Sequence, residues 1–235
     1  MPFNWITALE EQGIQLSMHQ QQQFDQYYQL LIEWNQKMNL TAITERDQVE
    51  LKHFYDSLTA GFYFPFSTQK LVDIGAGAGF PSIPLKIAFP QLECVLVDSL
   101  QKRLNFLQEV IQTLGLEGIT LIHGRAEDLG HEPHLREQFD LAVARAVARF
   151  PVLLEYSLPF VKVNGYFVAL KGSDGVQEAS EGKQALTLLG GQMEKIESFK
   201  LPVEDAARTI IVTKKIAKTP KKYPRSAGKP AKNPL

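Results

Sequence analysis

The sequence predicts a doubly wound α/β fold, a mostly parallel sheet with helices on both faces. Three observations lead there. Apolar runs of four to six residues recur from residue 70 onward, helix-period segments separate them, and a glycine-rich turn follows the first, in "KLVDIGAGAGFPSIPLKI". Strands buried on both faces read as near-continuous apolar runs, and their alternation with helices builds such a sheet.

Residues 1–66 are expected to form an N-terminal helical cap. Phe24, Tyr27, Tyr28, Leu31, Trp34 and Met38 fall at three- and four-residue steps, one face of a helix, and are read as packing residues. A second helical stretch is expected over 46–61. The main domain spans 67–216. Its strands are "KLVDIG", "ECVLVDS", "GITLIHG", "FDLAVAR" and "NGYFVALKG". The clearest helix runs from Leu100 to Leu114, with Leu104, Leu107, Val110 and Ile111 on one face, Ser99 as N-cap and Gly115 as stop. "QMEKIESFKLP" and "ARTIIVTKKI" predict an antiparallel hairpin at one end of the sheet. The tail, 217–235, is rich in Lys, Pro and Gly and is expected to be mobile unless docked.

Composition narrows the function. No segment approaches the ~18 uninterrupted apolar residues of a membrane span, and no secretory signal is visible, so a cytoplasmic protein with no membrane partner is expected. Cys94 is the only cysteine, which excludes an internal disulfide. The histidines His19, His123, His131 and His134 show no ligand spacing, and no metal is expected. The formal net charge of −1 is unevenly spread: all 26 acidic residues precede Ala206, while nine of the 25 Lys and Arg follow Asp205. That asymmetry suggests a basic arm for a polyanion.

The glycine turn marks the candidate site. Gly75, Gly77 and Gly79 join the first strand to a helix beginning near Pro81, a residue suited to the first helical position. Glycines there permit positive φ and close approach of a ligand to the backbone, at the carboxyl edge where open α/β sheets bind ligands. Two ligand types compete. A dinucleotide fingerprint needs G-x-G-x-x-G, but its third glycine would fall at Phe80 or Ser82. The pattern is G-x-G-x-G with Asp73 upstream, where a carboxylate attracts an ammonium group. Asp98 ends the second strand, placed to accept both ribose hydroxyls. In "GRAEDL", Ala126 and Glu127 flank an adenine through a backbone N–H or a carboxylate. In that order these features describe S-adenosylmethionine.

The chain resembles a known family. "NLTAIT", "HFYDSL", "DIGAGAGFPSIPLKI", "DSLQKRLNFL", "GRAEDL", "VARAVA" and "TPKKYPRSAGKPAKNPL" occur in the order seen in bacterial glucose-inhibited division protein B. That family is the small-subunit rRNA methyltransferase that modifies guanine N7 in the 530 loop of 16S rRNA. The resemblance covers nearly the whole chain. It implies a class I S-adenosylmethionine-dependent methyltransferase fold, that donor, and 16S rRNA or the small ribosomal subunit as acceptor, with no DNA and no obligate protein partner. Its cofactor contacts map onto Gly75, Phe80, Ala126, Glu127 and Arg145, and its tail motif keeps Arg225 and Gly228.

The residue chemistry bears on the target atom. Methylation of a pyrimidine carbon requires a thiolate, and Cys94 lies inside a strand. An exocyclic amine calls for an Asn- or Asp-containing pocket after the fourth strand, where this chain offers "ARAVAR". Guanine N7 needs neither, since its lone pair is free. Arg145 or Arg149 is expected to hold guanine O6 or a flanking phosphate. The plainer readings are an ion pair of Arg145 with Asp140 or Glu127, and a solvated Arg149. His53 and Asp56 share a helix face. They read either as interdomain hydrogen-bonding residues or, for Asn39 and His53, as lining of the RNA or cofactor cleft. In the tail, Arg225 is expected to contact RNA and Tyr223 to stack on a base. Alternatives are a methyltransferase for another RNA site or a small molecule, and a non-catalytic RNA-binding ribosome assembly factor.

Overall fold

The computed structural model describes residues 3–235. Seven strands form one sheet: β1 (Lys70–Ile74), β2 (Glu93–Asp98), β3 (Ile119–His123), β4 (Phe139–Arg145), β5 (Val161–Lys171), β6 (Gly191–Lys200) and β7 (Ala207–Lys215). Their order is β3-β2-β1-β4-β5-β7-β6. β1 to β5 pair in parallel, and β7 enters antiparallel between β5 and β6. The expected runs all became strands, and the hairpin is β6–β7. The strand order reverses at β1 and β4, so the crevice of the doubly wound sheet opens above these two.

The period-2 geometry of the strands divides the core in two. Leu71, Leu96, Leu141, Val143, Val168 and Val212 face one side. Val72, Val95, Ala142, Ala144, Phe167 and Ile211 face the other. The first side carries the N-terminal helices α1 (Trp5–Glu11) and α2 (Met18–Met38), then α3 (Arg46–Val49), a π-helical turn over Glu50–Tyr55, α4 (Asp56–Leu58) and α5 (Ala60–Tyr63). α2 starts at a capping box, Ser17 with Gln20, and stops at Asn39, which adopts the left-handed conformation at φ 48°. Phe24, Tyr27 and Phe54 pack beneath Phe80, so the cap and the glycine turn share one apolar cluster.

α6 (Ser82–Ala88) and α7 (Gln101–Thr113) follow β1 and β2; α8 (Ala126–Leu129) follows β3 and α9 (Phe150–Ser157) follows β4. α10 (Gly175–Glu181) and α11 (Lys183–Leu189) cover the second face with α9, and α12 (Lys229–Lys232) closes the tail. Two expected caps moved by one residue. Pro81 is the N-cap of α6, not its first residue. Leu100 precedes α7 in place of Ser99, and the Asp98 carboxylate accepts its N–H at 2.8 Å. Among the described residues, no helix is long and apolar enough to cross a membrane.

The tail is docked, the condition under which it was not expected to be mobile. Tyr223 is only 5% exposed, so it cannot stack on a base. Arg225 grips the buried Glu155 with three side-chain hydrogen bonds, Nε to Oε1 at 2.9 Å and to Oε2 at 3.1 Å and Nη2 to Oε2 at 2.6 Å. A guanidinium held this way by a buried carboxylate is not free for phosphate, which corrects its assignment as an RNA contact.

Candidate active site

Two cavities meet over the carboxyl edge of the sheet. The first, about 450 Å³, is lined by the turn Gly75–Ala78, Phe80, Asp98, Arg103, Arg145 and Thr41. A smaller one of about 150 Å³ continues from it past Asp98 toward Ala126, Glu127 and Tyr156. The two cavities share Gly75, Asp98, Ser99 and Val147, so they form one crevice with Asp98 at its waist.

The glycines of the turn divide their labour. All three have positive φ. Gly75 and Gly77 line the cavity. Gly79 does not. A Cβ there would lie 2.7 Å from the Tyr27 hydroxyl and from Ile83, so Gly79 serves the packing of the cap against the turn. The Tyr27 hydroxyl donates to the Ala78 carbonyl from beneath.

The acids also differ. Asp98 accepts N–H groups from Gly77 at 2.9 Å and Leu100 at 2.8 Å, and faces Arg103 at 3.4 Å. Its carboxylate is locked at the cavity wall by the turn that it braces, with Oδ1 retaining a lone pair. Asp73 departs from expectation: it is 0% exposed and lines neither cavity. It accepts the Ser82 hydroxyl at 2.5 Å, and its Oδ1 has no hydrogen-bond partner. Burial pushes its carboxyl up to about 7, against the lowering effect of Ser82. Asp73 thus acts from behind the turn, and direct pairing with an ammonium group is corrected.

Arg145 stands at the far wall. Its Nη1 donates to the Lys52 carbonyl at 2.9 Å and to Asp56 Oδ2 at 3.0 Å. Its guanidinium lies 4.9 Å from the Phe80 ring centroid, and His53 stacks on the same ring at 4.6 Å. The expected partners, Asp140 and Glu127, are engaged elsewhere: Asp140 with Lys162, Glu127 with the Gly228 N–H. Burial depresses the Arg145 pKa, opposed by Asp56. Burial, then Arg145, holds His53 neutral with its pKa down at about 3.

Behind this wall lies a third cavity of about 300 Å³, sharing His53, Arg145 and Ala146 with the first. Lys52, Lys171 and Arg208 add positive charge. Asp56 is the carboxylate of that wall, and Arg208 Nε also donates to it at 2.9 Å. Ala146 holds φ 57°, an uncommon conformation for a residue with a Cβ. The π-helical turn brings His53 and Asp56 to β4, a common use of such turns.

Two expected residues lie outside. Arg149 caps α9 and pairs with Glu181 in solvent, so the plainer reading holds and its role toward guanine is corrected. Asn39 is the exposed C-cap of α2, and its neighbours Leu40 and Thr41 reach the cavity instead. Sequence reasoning missed Thr41, Arg103 and Lys171, for which spacing carries no signal, and counted Arg208 only as part of the basic tail.

The donor set fits S-adenosylmethionine: a crevice with a glycine wall, an acid at its waist and a polar loop at its narrow end. With the strand order, these features define a class I S-adenosylmethionine-dependent methyltransferase. A solved S-adenosylmethionine-dependent methyltransferase from Aquifex aeolicus shares the fold at 14% identity and TM-score 0.55, over 74% of this chain and 96% of that one. The profile of the family described as rRNA small subunit methyltransferase G matches residues 20–210. The ribosomal RNA small subunit methyltransferase G of Brevibacillus brevis is 58% identical, over 97% of this chain and 96% of its own. Its Bacillus subtilis counterpart is 53% identical over 98% and 97%. The chain belongs to the rRNA small subunit methyltransferase G family.

Proposed function

We propose that the chain methylates N7 of a guanine in the 530 loop of 16S rRNA in the small ribosomal subunit. Family membership supports an S-adenosylmethionine-dependent rRNA methyltransferase. The choice of atom rests on one observation: among the described residues, the first and third cavities are lined by no acid or imidazole left unpaired to take a proton, and Glu127 lies apart at the narrow adenine end. Asp98 is occupied by backbone N–H groups, Asp56 is held by two guanidiniums, and His53 titrates near 3. Cys94 is buried in β2 with its thiol pushed up to about 12, which rules out a thiolate.

Bound S-adenosylmethionine supplies an electrophilic methyl group on a sulfonium. Guanine N7 brings a free lone pair and loses no proton, so this chain needs only to bind and align. Gly75, Gly77 and Asp98 hold the donor's amino-acid and ribose parts, and Ala126 and Glu127 its adenine. Phe80 and His53 form an aromatic wall. The Nε–H of Arg145 has no acceptor among the described residues and is assigned to guanine O6 or a flanking phosphate. It leaves N7 open, since a donor there would occupy the attacking lone pair. Alignment of this kind contributes up to ~7–11 kcal/mol to lowering a barrier. Arg145 and Arg208 share the single Asp56 carboxylate, and the positive charge left over attracts the RNA backbone.

The test is methyl transfer to small subunits, naked rRNA and large subunits, with nucleoside mass spectrometry and mapping. 7-Methylguanosine confined to the 530 loop is expected. Methylation at another atom, or of large subunits alone, overturns the reading. Arg145→Ala is expected to lower turnover by about a hundredfold, the scale of a misaligned reactant, and to weaken donor binding less.

A further inference from the structure

The docked tail touches the donor site at one point. The Gly228 N–H donates to Glu127 Oε1 at 2.9 Å. Glu127 belongs to the wall of the narrow end of the crevice, with Ala126, Asp98 and Tyr156. Ala126 and Glu127 sit on α8, a helix of four residues with no side-chain cap. So short a helix has little stability of its own and depends on what packs against it.

The tail clamps α8 from its other end too. The Pro224 ring lies against Gly130, where an added Cβ would sit 2.7 Å from its Cγ. His131 Nε2 donates to the Pro224 carbonyl at 2.7 Å. Arg136 ties the segments together, donating to the carbonyls of Gly130 at 2.7 Å, Tyr223 at 2.8 Å and Thr219 at 2.8 Å. Arg225 fastens the middle of the tail to α9 through Glu155. Gly228 itself holds φ 79°, which turns its N–H inward. Lys221, Lys222, Lys229 and Lys232 stay exposed on the outer side.

We infer that residues 219–232 form a strap that sets the adenine end of the donor site, with Gly228 as the positioning residue that aims the Glu127 carboxylate. The inference rests on the placement of adenine at Ala126 and Glu127. A carboxylate with one oxygen fixed presents the other in a defined direction, and it favours a 6-amino over a 6-oxo purine because at that position the amine donates to it while a carbonyl oxygen repels it. The strap makes donor recognition depend on a segment about a hundred residues away in sequence.

The test compares binding of S-adenosylhomocysteine and its 6-oxo analogue S-inosylhomocysteine by calorimetry in three full-length variants. Gly228→Pro removes the N–H and cannot adopt positive φ. The double variant Arg225→Gln/Glu155→Gln loosens the strap without leaving a buried unpaired charge. Glu127→Ala removes the proposed adenine acceptor. With the strap as positioner, Gly228→Pro weakens S-adenosylhomocysteine about tenfold, the scale of a hydrogen bond to a charged group. It narrows the preference over the inosine analogue, and its effect falls on KM for the donor rather than on KM for small subunits. The double variant moves in the same direction. Unchanged donor affinity in both, with KM for small subunits raised, would make the tail an RNA arm and overturn the inference. A Glu127→Ala protein that keeps its preference for the 6-amino purine overturns the adenine placement itself, whatever the strap variants do.

Discussion

The donor crevice and the cationic cavity behind it share His53, Arg145 and Ala146, yet they are assembled in opposite ways. The donor crevice is built mainly from short contiguous stretches after β1, β2 and β3, and its key contacts are backbone groups and two acids, Asp98 and Glu127. The cationic cavity draws on residues near 43–56, 145–146, 170–172 and 208–210. Its content is charge: two arginines sharing one buried carboxylate, and two lysines each tied to a glutamate. Close approach of a ligand to the backbone needs a local turn, which a few consecutive residues encode. Converging cations repel one another, and only tertiary packing around a shared counter-ion holds them together.

The largest expected effect breaks the second arrangement. Asp56→Ala leaves the buried Arg145 without its carboxylate and is expected to cost about 3–5 kcal/mol of folding stability, measured by urea unfolding. In an Arg145→Met background the same change should cost much less. Equal costs in both backgrounds would mean that Asp56 is not the counter-ion that organises this wall.

Next comes the waist of the donor crevice. Asp98→Asn keeps the shape and removes the charge. S-adenosylhomocysteine affinity should fall about a hundredfold, as two hydrogen bonds to a charged group are weakened. Binding of small subunits without donor should stay unchanged. A loss in both would deny that the two cavities are separately built.

The glycine turn sharpens the comparison further. Gly79→Ala meets Tyr27 and Ile83 at 2.7 Å with φ at 93°, so overpacking and backbone strain add to about 2–3 kcal/mol of lost stability. Gly77→Ala has nothing nearer than 3.8 Å and φ at 59°, so it should cost only about 1 kcal/mol but disturb the donor wall. Thermal melts with and without S-adenosylhomocysteine separate the two: Gly79→Ala lowers both melting points together, and Gly77→Ala mainly reduces the ligand-induced rise.

The smallest effect is in the wild-type pH profile, where two opposed titrations cancel. Asp73 titrates near 7 when folded against an ordinary 3.8, so the folded state binds the extra proton between those values and stability falls as pH rises. His53 titrates near 3 against 6.5, so the unfolded state binds the proton and stability rises with pH. Between 3.8 and 6.5 the two slopes, each about 1.4 kcal/mol per pH unit at most, oppose one another. His53→Gln should therefore show stability declining across that window, and Asp73→Asn stability rising. Parallel profiles for wild type and both variants would show that neither group titrates as described.

The strands, the hairpin and the donor turn were legible because their signals are local: apolar runs, glycines at fixed offsets, an acid at a strand end. Asp98 was readable on that basis. Asp73 was misjudged because the same sequence pattern serves a carboxylate facing a ligand and one facing Ser82. Arg149 and Arg145 occur four residues apart in "RAVAR", yet one meets solvent and the other a buried acid 89 residues away. The tail looked free because composition reports lysines and prolines, and says nothing of the buried Glu155 waiting on α9.

By itself the sequence determined the α/β sheet, its hairpin and the glycine-walled crevice at its edge, because period, turn chemistry and backbone freedom act over a few residues. Only the tertiary structure decided which partners each charge meets: Asp56 with two arginines, Arg225 with Glu155, Glu127 with the Gly228 N–H. A buried charge must find its partner wherever the fold brings one within about 3 Å, and sequence separation places no limit on where that is.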